Sequence, residues 1–257
     1  MKTVLVTGAC INTGVAIVEK FAKEGCNVIF TGRDHQKVSN KEKEYQEKFP
    51  DVEILGYAMD SLLDERTVDE AGVKELFADL DAKGIFVETL VLNAADQGLG
   101  QKIFENPLTD IQKVLNTNVL WNYCLCEHAA LRMKEQDGGS IVFVNSNTAY
   151  RAIPDRIAYV TSKGAQLGMM RALTMDLGKY NIRVNAVLPG MIKTERWVQN
   201  PDFYATVPSR YTPIGDVAVG EDVADAVYYF AAYARNTTGA ELVVDGGNTV
   251  QLYPIIP

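Results

Sequence analysis

Seven short apolar runs, each divided from the next by a helical pattern, restrict this chain more than any other feature. The runs at 3–7, 27–31, 53–57, 89–92, 140–144, 183–188 and 241–245 are rich in Val, Ile, Leu and Phe. Such runs read as strands buried on both faces. Between them the pattern turns helical near 14–24, 35–48, 64–82, 108–135, 155–179 and 221–234. In the first of these, Val15, Val18, Phe21 and Ala22 make the apolar stripe. Strand–helix alternation of this length predicts an α/β fold: a doubly wound parallel sheet of about seven strands with helices on both faces. No internal repeat, low-complexity tract or Pro/Ser-rich linker interrupts the 257 residues, so one domain over 1–257 is expected.

The bulk composition narrows the partners. A net charge of -8 argues against a nucleic-acid footprint and against binding an anionic membrane surface. No apolar run approaches the ~20 residues that span a bilayer. The first residues pass straight into a strand pattern, unlike a signal peptide. Cys10, Cys26, Cys124 and Cys126 are read as reduced, buried thiols of a cytoplasmic protein. With only His35 and His128 for imidazoles and no Cys-x-x-Cys, no catalytic metal site is expected.

The first strand runs directly into Thr7-Gly8-Ala-Cys-Ile-Asn12-Thr13-Gly14, and a helix follows. Glycines at a strand-to-helix turn let the backbone approach a pyrophosphate, and the helix N-terminus offers amide donors and a positive dipole. At the end of the second strand stands Thr31-Gly32-Arg33, where an NAD-selective site usually carries an acid for the ribose hydroxyls. A guanidinium suits a 2′-phosphate instead. The expected cofactor is therefore NADP(H), with NAD(H) as the alternative, since Asp34 stands beside Arg33.

Tyr159 and Lys163 share a helix face at i and i+4, and Ser146 precedes the tyrosine by thirteen residues. A free tyrosine titrates near ~10. A nearby ammonium favours the phenolate, and bringing the group to ~7 takes roughly 4 kcal/mol of differential interaction. A hydroxyl beside it can hold the oxygen that exchanges the proton. The trio suits an acid/base that protonates an oxygen while hydride arrives at the adjoining carbon.

Taken together these residues resemble the short-chain dehydrogenase/reductase family, in its single-domain branch of about this length. The resemblance covers nearly the whole chain, in the family's order, and implies a Rossmann-type sheet. Thr7-Gly8-x5-Gly14 is similar to the family's glycine motif. Asp60, with Ser61 beside it, matches its adenine-contacting acid after the third strand. Asn93-Ala94-Ala95 matches the Asn-Ala-Gly segment. Asn118, Ser146, Tyr159 and Lys163 match the catalytic tetrad. Pro189-Gly190-x3-Thr194 matches the nicotinamide-side motif, and Thr238-Gly239 with Asp245-Gly246-Gly247 the closing strand. By the same resemblance Lys163 also bonds the nicotinamide ribose, Thr194 the carboxamide, and Asn118 kinks its helix and holds a water leading from Lys163 to solvent. Two positions depart from the pattern. Asn12 replaces the middle glycine, and asparagine tolerates positive φ better than most residues. Ala95 replaces the last glycine of its segment, and Asp96 follows it toward the substrate.

The substrate side is expected to include Asp96, Tyr150 and Trp197. Residues 191–220 carry three prolines and four aromatics, among them Phe203 and Tyr204, and read as a lid over the site. Arg151, Asp155 and Arg156 either recognise a carboxylate or hydroxyl-rich substrate or open the helix and face water. The substrate is a small carbonyl compound or alcohol: a hydroxysteroid, a keto-sugar or a 3-oxoacyl compound. The family habit and the apolar long helices imply a homo-oligomer, a dimer or tetramer. Two other classes share this scaffold: a silent NADP(H)-binding regulator, disfavoured by the complete tetrad, and a dehalogenase-like lyase, disfavoured by the intact nucleotide turn.

Overall fold

The apolar runs pair as one sheet in the computed structural model, which describes residues 2–254 apart from 200 and 206. At 196, 198, 203, 204 and 209 it describes the backbone alone. The strands are β1 (Thr3–Val6), β2 (Asn27–Gly32), β3 (Ile54–Ala58), β4 (Thr89–Leu92), β5 (Gly139–Val144), β6 (Ile182–Pro189) and β7 (Glu241–Val244). All neighbours are parallel, in the order β3-β2-β1-β4-β5-β6-β7. The winding runs outward from β1 to β3, then returns past β1 and runs the other way from β4. The carboxyl ends of β1 and β4 therefore flank the crevice where such sheets bind ligands.

Alternation along each strand feeds two cores. Val4 and Val6 face one side of β1 and Leu5 the other. The first side is covered by α1 (Asn12–Lys23) and α2 (His35–Lys48), through Ile17, Phe21 and Tyr45, and by residues 223–230. The second is covered by α3 (Glu70–Ala82), α5 (Trp121–Glu135) and α6 (Ile157–Leu177), with Phe77, Trp121, Leu125, Met133, Leu167 and Met170 in the core, and α4 (Leu108–Leu115) packs against α6. Each face buries a contiguous apolar layer, which the near-continuous strand hydrophobicity requires.

Several helices differ from their expected bounds, each for a local reason. The stretch 64–69 is a turn, not the start of α3. Asp64 Oδ1 accepts from the amides of Arg66 (2.7 Å) and Thr67 (2.9 Å), and α3 starts only where Asp69 caps Gly72 N at 2.8 Å. The expected helix 108–135 is split by a π-helical turn at Asn116–Leu120, a feature that commonly marks functional sites. The segment 191–220 is not a structureless loop. It forms the short helices α7 (Glu195–Gln199), α8 (Pro201–Tyr204) and α9 (Val207–Tyr211), with Pro201 at a first helical position. It returns to the body through Lys193 N on Ala218 O (2.8 Å) and a Lys193–Asp216 ion pair at 3.0 Å. The last helix, α10 (Gly220–Tyr228), ends in another π-helical turn at Tyr229–Tyr233. All four cysteines are free; Cys26 and Cys126 are buried, whereas Cys10 and Cys124 are only half-buried.

Gly14 is the tightest packing point of the nucleotide end. A Cβ there would stand 2.7 Å from Ala9 Cα and against the Gly8 carbonyl oxygen, both backbone atoms that cannot swing aside. Gly14→Ala is expected to cost about 3 kcal/mol and to lower the melting temperature by roughly 6–12 °C. Thermal unfolding followed by circular dichroism checks it, and an unchanged midpoint would contradict this packing.

Candidate active site

At the carboxyl edge of β1 the chain must turn sharply, and three backbone facts allow it. Gly8 adopts φ +65° and Asn12 φ +48°, left-handed values that glycine takes freely and asparagine tolerates. A Cβ on Gly8 would lie 2.8 Å from Ala94 Cα, so the turn is held flush against the end of β4. The stitch between them is made by side chains. Thr7 Oγ1 accepts from Asn93 N and Ala94 N, both at 3.0 Å, and Asn93 Nδ2 donates to Thr7 O and Gly8 O, again at 3.0 Å. Asn93 is thus committed to shaping the glycine turn. Helix α1 opens directly after it with Gly14 buried and Thr13 half-exposed. Ile11, at its cap position, gives no side-chain hydrogen bond, and the first turn holds no acidic residue. The leading amides keep their donor capacity and the helix dipole is not neutralised there, which fits a pyrophosphate.

Along the same edge, Arg33, His35, Ala58, Met59 and Asp60 line a cleft of about 490 Å³. Arg33 is exposed one residue past β2. Asp60 Oδ1 accepts from Ser61 N at 2.7 Å, and the Ser61 hydroxyl lies buried 3.0 Å from that of Thr117. Ala95 is exposed beyond Ala94. On the opposite side Pro189 ends β6. Gly190, bonded to Val244 O at 3.0 Å, lies so close to Asp245 that a Cβ would come 2.5 Å from that residue's own. Thr194 precedes α7 and its carbonyl accepts Trp197 N at 2.9 Å.

The four candidate catalytic residues come together at the ends of β5 and α6. Ser146 opens a short 3-10 turn, its Oγ accepting from Thr148 N (3.2 Å) and Thr148 Oγ1 (3.0 Å), and its hydroxyl acts on the Tyr159 phenol to lower its pKa. The Lys163 ammonium lies 5.5 Å from the Tyr159 ring centroid and donates to Val144 O (3.0 Å) and Gln166 Oε1 (3.2 Å). Asn118 is wholly buried in the π-helical turn. Its amide accepts from Asp96 N (2.8 Å) and donates to Asp96 O and Ser162 Oγ, each at 2.9 Å. Its carbonyl accepts from Asn122 Nδ2 (2.9 Å) and Gln166 Nε2 (2.7 Å). The sequence reading left out Gln166 and Asn145, which knit this group. Asn145 Oδ1 accepts from Ser146 N at 2.7 Å, and its amide donates to Lys163 O and Gln166 Oε1, both at 3.0 Å. Their signal was present: a glutamine three residues after Lys163 on an otherwise apolar face, and an asparagine ending a buried strand.

The substrate side is only partly assembled by the named residues. Asp96 spends a carboxylate oxygen on Gly98 N (2.9 Å) in its own loop. Tyr150 is 52% exposed, free to be covered by a ligand. Trp197 is half-buried, and the side chains of Phe203 and Tyr204 lie outside the described residues. Arg151 Nη1 is held by the carbonyls of Asn248 (2.5 Å), Thr249 (3.2 Å) and Gln251 (2.6 Å), and Arg156 Nη1 donates to Gln97 O at 2.7 Å. Both cations tie loops together around the site instead of facing an anion.

Comparison with known proteins agrees with this geometry. A family model described as enoyl-(acyl carrier protein) reductase matches residues 8–249. The chain is 32% identical over 248 residues to a 3alpha-hydroxysteroid dehydrogenase of Mediterraneibacter gnavus, covering 95% of this chain and 96% of that one. It is 32% identical over 256 residues to an NADP-dependent (R)-specific alcohol dehydrogenase of Lentilactobacillus kefiri, covering 97% of each. Among solved structures it superposes with a TM-score of 0.88 on L-sorbose reductase from Gluconobacter frateurii, solved with NADPH and L-sorbose, at 26% identity and with 98% and 97% of the two chains covered.

Electrostatically the site is dominated by burial. Lys163 is 2% exposed, and desolvation of its ammonium brings its pKa down to about 7. Burial pushes the Tyr159 phenol up, with the Ser146 hydroxyl and the Arg156 guanidinium pulling the other way. The ammonium expected to lower it is turned toward Val144 O and Gln166. A lysine that titrates near 7 in the folded protein and near 10.5 in the unfolded chain leaves the unfolded state with more protons between those values. Folded stability therefore rises with pH across that window, and the burial cost is fully present below it. Lys163→Met removes this dependence. It is expected to gain stability relative to the wild type by several °C as the pH falls from 10 to 6, read from paired melting curves. Parallel curves would show that Lys163 is not desolvated as described.

Proposed function

The chain belongs to the short-chain dehydrogenase/reductase family, and we propose that it is an NADP(H)-preferring oxidoreductase interconverting a small carbonyl compound and its alcohol. The observation that carries this reading is the meeting of Ser146, Tyr159 and Lys163 beside the glycine turn. The Ser146 hydroxyl stands near enough to the phenol to pull its pKa down, and the ammonium lies 5.5 Å from its ring. The residues at the turn fit a dinucleotide, since α1 presents amides without a capping side chain.

When bound, the nicotinamide supplies or accepts the hydride. The chain's own residues handle the oxygen and its proton. Ser146, anchored by Thr148 and Asn145, holds the substrate oxygen within reach of Tyr159. Tyr159 gives its proton to the developing alkoxide, or takes it back in the oxidation direction. By family likeness Lys163 would stabilise the phenolate and grip the nicotinamide ribose, which requires its ammonium to turn from Val144 O and Gln166 Oε1 toward the phenol. Asn118 holds the end of α4 and the Asp96 loop together under the site. Gly8, Asn12, Thr13 and Gly14 would meet the pyrophosphate, Asp60 and Ser61 the adenine, Ala94 and Ala95 would form the wall beside the nicotinamide, and Pro189, Gly190 and Thr194 would meet the nicotinamide. Arg33 would pair with a 2′-phosphate, in keeping with the NADPH in the sorbose reductase complex and the NADP dependence of the kefiri alcohol dehydrogenase.

For the substrate we favour an uncharged carbonyl body, of the ketosteroid, keto-sugar or 3-oxoacyl kind, because Arg151 and Arg156 are already occupied by backbone carbonyls. Leu120, Tyr123 and Leu131 on or beside α5, with Met175 on α6, leave apolar surface that suits a homo-oligomer. A silent NADP(H)-binding regulator is the alternative reading, and turnover decides between them.

NADPH oxidation against a panel of such carbonyls is the test. Tyr159→Phe is expected to bind NADPH as the wild type does and to lose turnover by roughly 10³-fold or more; wild-type turnover in that variant would overturn the mechanism. Arg33→Ala is expected to weaken NADPH about tenfold, or ~1.4 kcal/mol, with NADH little changed. Equal losses for the two cofactors would remove Arg33 from the specificity assignment.

A further inference from the structure

We propose that Gln166 is a positioning residue that fixes the Lys163 ammonium and sets the pH range over which the Tyr159–Lys163 pair exchanges protons. It lies seven residues after Tyr159 and three after Lys163, on the same face of α6. It is 1% exposed. Its Oε1 accepts from Lys163 Nζ (3.2 Å) and Asn145 Nδ2 (3.0 Å), and its Nε2 donates to Asn118 O (2.7 Å). The amide cannot be reversed: turning it would set NH2 against an ammonium and another NH2, and oxygen against a carbonyl. One side chain therefore ties the π-helical turn of Asn118, the strand end that carries Asn145 and Ser146, and the lysine into one rigid group.

The chemistry depends on this because Lys163 has few other supports. Facing it from its own helix are Tyr159 and, across that ring 5.9 Å from its centroid, Arg156. From β5 and the residues after it come Val144 O, Asn145 and Ser146, and from the π-helical turn comes Asn118, all neutral. The carboxylates on flanking segments are spent on backbone amides, Asp96 on Gly98 N and Asp245 on Gly247 N and Thr249 N. No charged group figures among the causes of the Lys163 shift, which is burial alone. Val144 O and Gln166 Oε1 are thus the two oxygens bonded to the ammonium, and removing one weakens the charged form. A carboxylate in the same place would strengthen it.

The role in catalysis rests on the function proposed above, but the effect on Lys163 does not, and the test separates them. The Lys163 side-chain resonance, assigned with Lys163→Arg, is titrated by NMR in the wild type, Gln166→Leu and Gln166→Glu. The leucine variant is expected to lower the lysine midpoint by about one unit, a tenfold change in proton affinity, and the glutamate variant to raise it by at least as much. A merely structural glutamine would change melting temperatures and leave the midpoints where they were, and that result overturns the proposal. Should Gln166→Leu fail to fold, Gln166→Glu decides alone, since it keeps the size and both acceptor contacts and gives up only the Nε2 donation to Asn118 O. The pH optimum of turnover is expected to move with the lysine midpoint in each variant. Shifted midpoints together with an active Tyr159→Phe would sink the proposed function and leave the lysine coupling standing. An inactive Tyr159→Phe with unmoved midpoints would do the reverse.

Discussion

The stitch between Thr7 and Asn93 is the constraint on which the rest of the site depends. Where the winding of a parallel sheet reverses, the chain leaves β1 and β4 in opposite directions and their ends would part. Here four hydrogen bonds at 3.0 Å, all through the two side chains, close that seam. They leave the buried backbone groups at the strand ends paired, as a buried edge requires. The close approach that results makes any Cβ at Gly8 or Gly14 costly. It also aims the amides of α1 into the crevice. The direction of the helix dipole, the gap for a pyrophosphate and the position of Ala94 beneath it follow from one polar pair, each member of which serves the other's backbone.

At the far end of the crevice a second polar group does comparable work with a charge at its centre. Lys163 is enclosed by oxygens that belong to neutral groups, and the amides around it form a chain from Asp96 through Asn118 and Gln166 to Asn145 and Ser146. The side-chain amides of Asn118, Gln166 and Asn145 are paired at both oxygen and nitrogen, whereas the neighbouring Asn122 Oδ1 is buried without a partner. The π-helical turn serves this pairing. Widening the helix by one residue frees the Asn118 carbonyl for Gln166 and Asn122 while its side chain reaches the Asp96 backbone. The cost is an ammonium whose proton is weakly held. For the proton exchange proposed at Tyr159, a neighbouring lysine whose pKa lies near neutrality is an advantage.

Much of the frame was readable from the chain because it rests on periodicity and on residues with special backbone freedom. The seven strands sit at the apolar runs, to within a residue or two at most ends, and Asn12 adopts the left-handed conformation its replacement of a glycine implied. The failures came where side chains compete with the helix. Asp64 drew the local amides into a turn ahead of α3, and no hydrophobic pattern records that preference. The π-helical turn is invisible to a 3.6-residue period, since the apolar stripe continues from Val114 to Leu125 on either side of it, and only the family resemblance pointed to a kink at Asn118. Gln166 and Asn145 were passed over because buried amides look like lapses in an apolar face until their partners, 21 and 48 residues away, are known.

The substrate end obeys a different logic, in which backbone carbonyls capture the cations. Arg151 gathers three carbonyls of the 248–251 segment, and Arg156 joins the 97–101 loop, whose Gln101 N in turn bonds Asp155 O at 3.1 Å. Asp155 holds a left-handed φ of +55° between them, a strained value that the flanking bonds enforce. Three segments remote in sequence are thereby clamped around the Ser146–Tyr159 pair by charge-assisted bonds worth more than neutral ones. These bonds engage Nη1 of each guanidinium and spend part of its donor capacity on backbone. The loops are thus clamped on both sides of Ser146 and Tyr159, while Tyr150 beside them stays exposed.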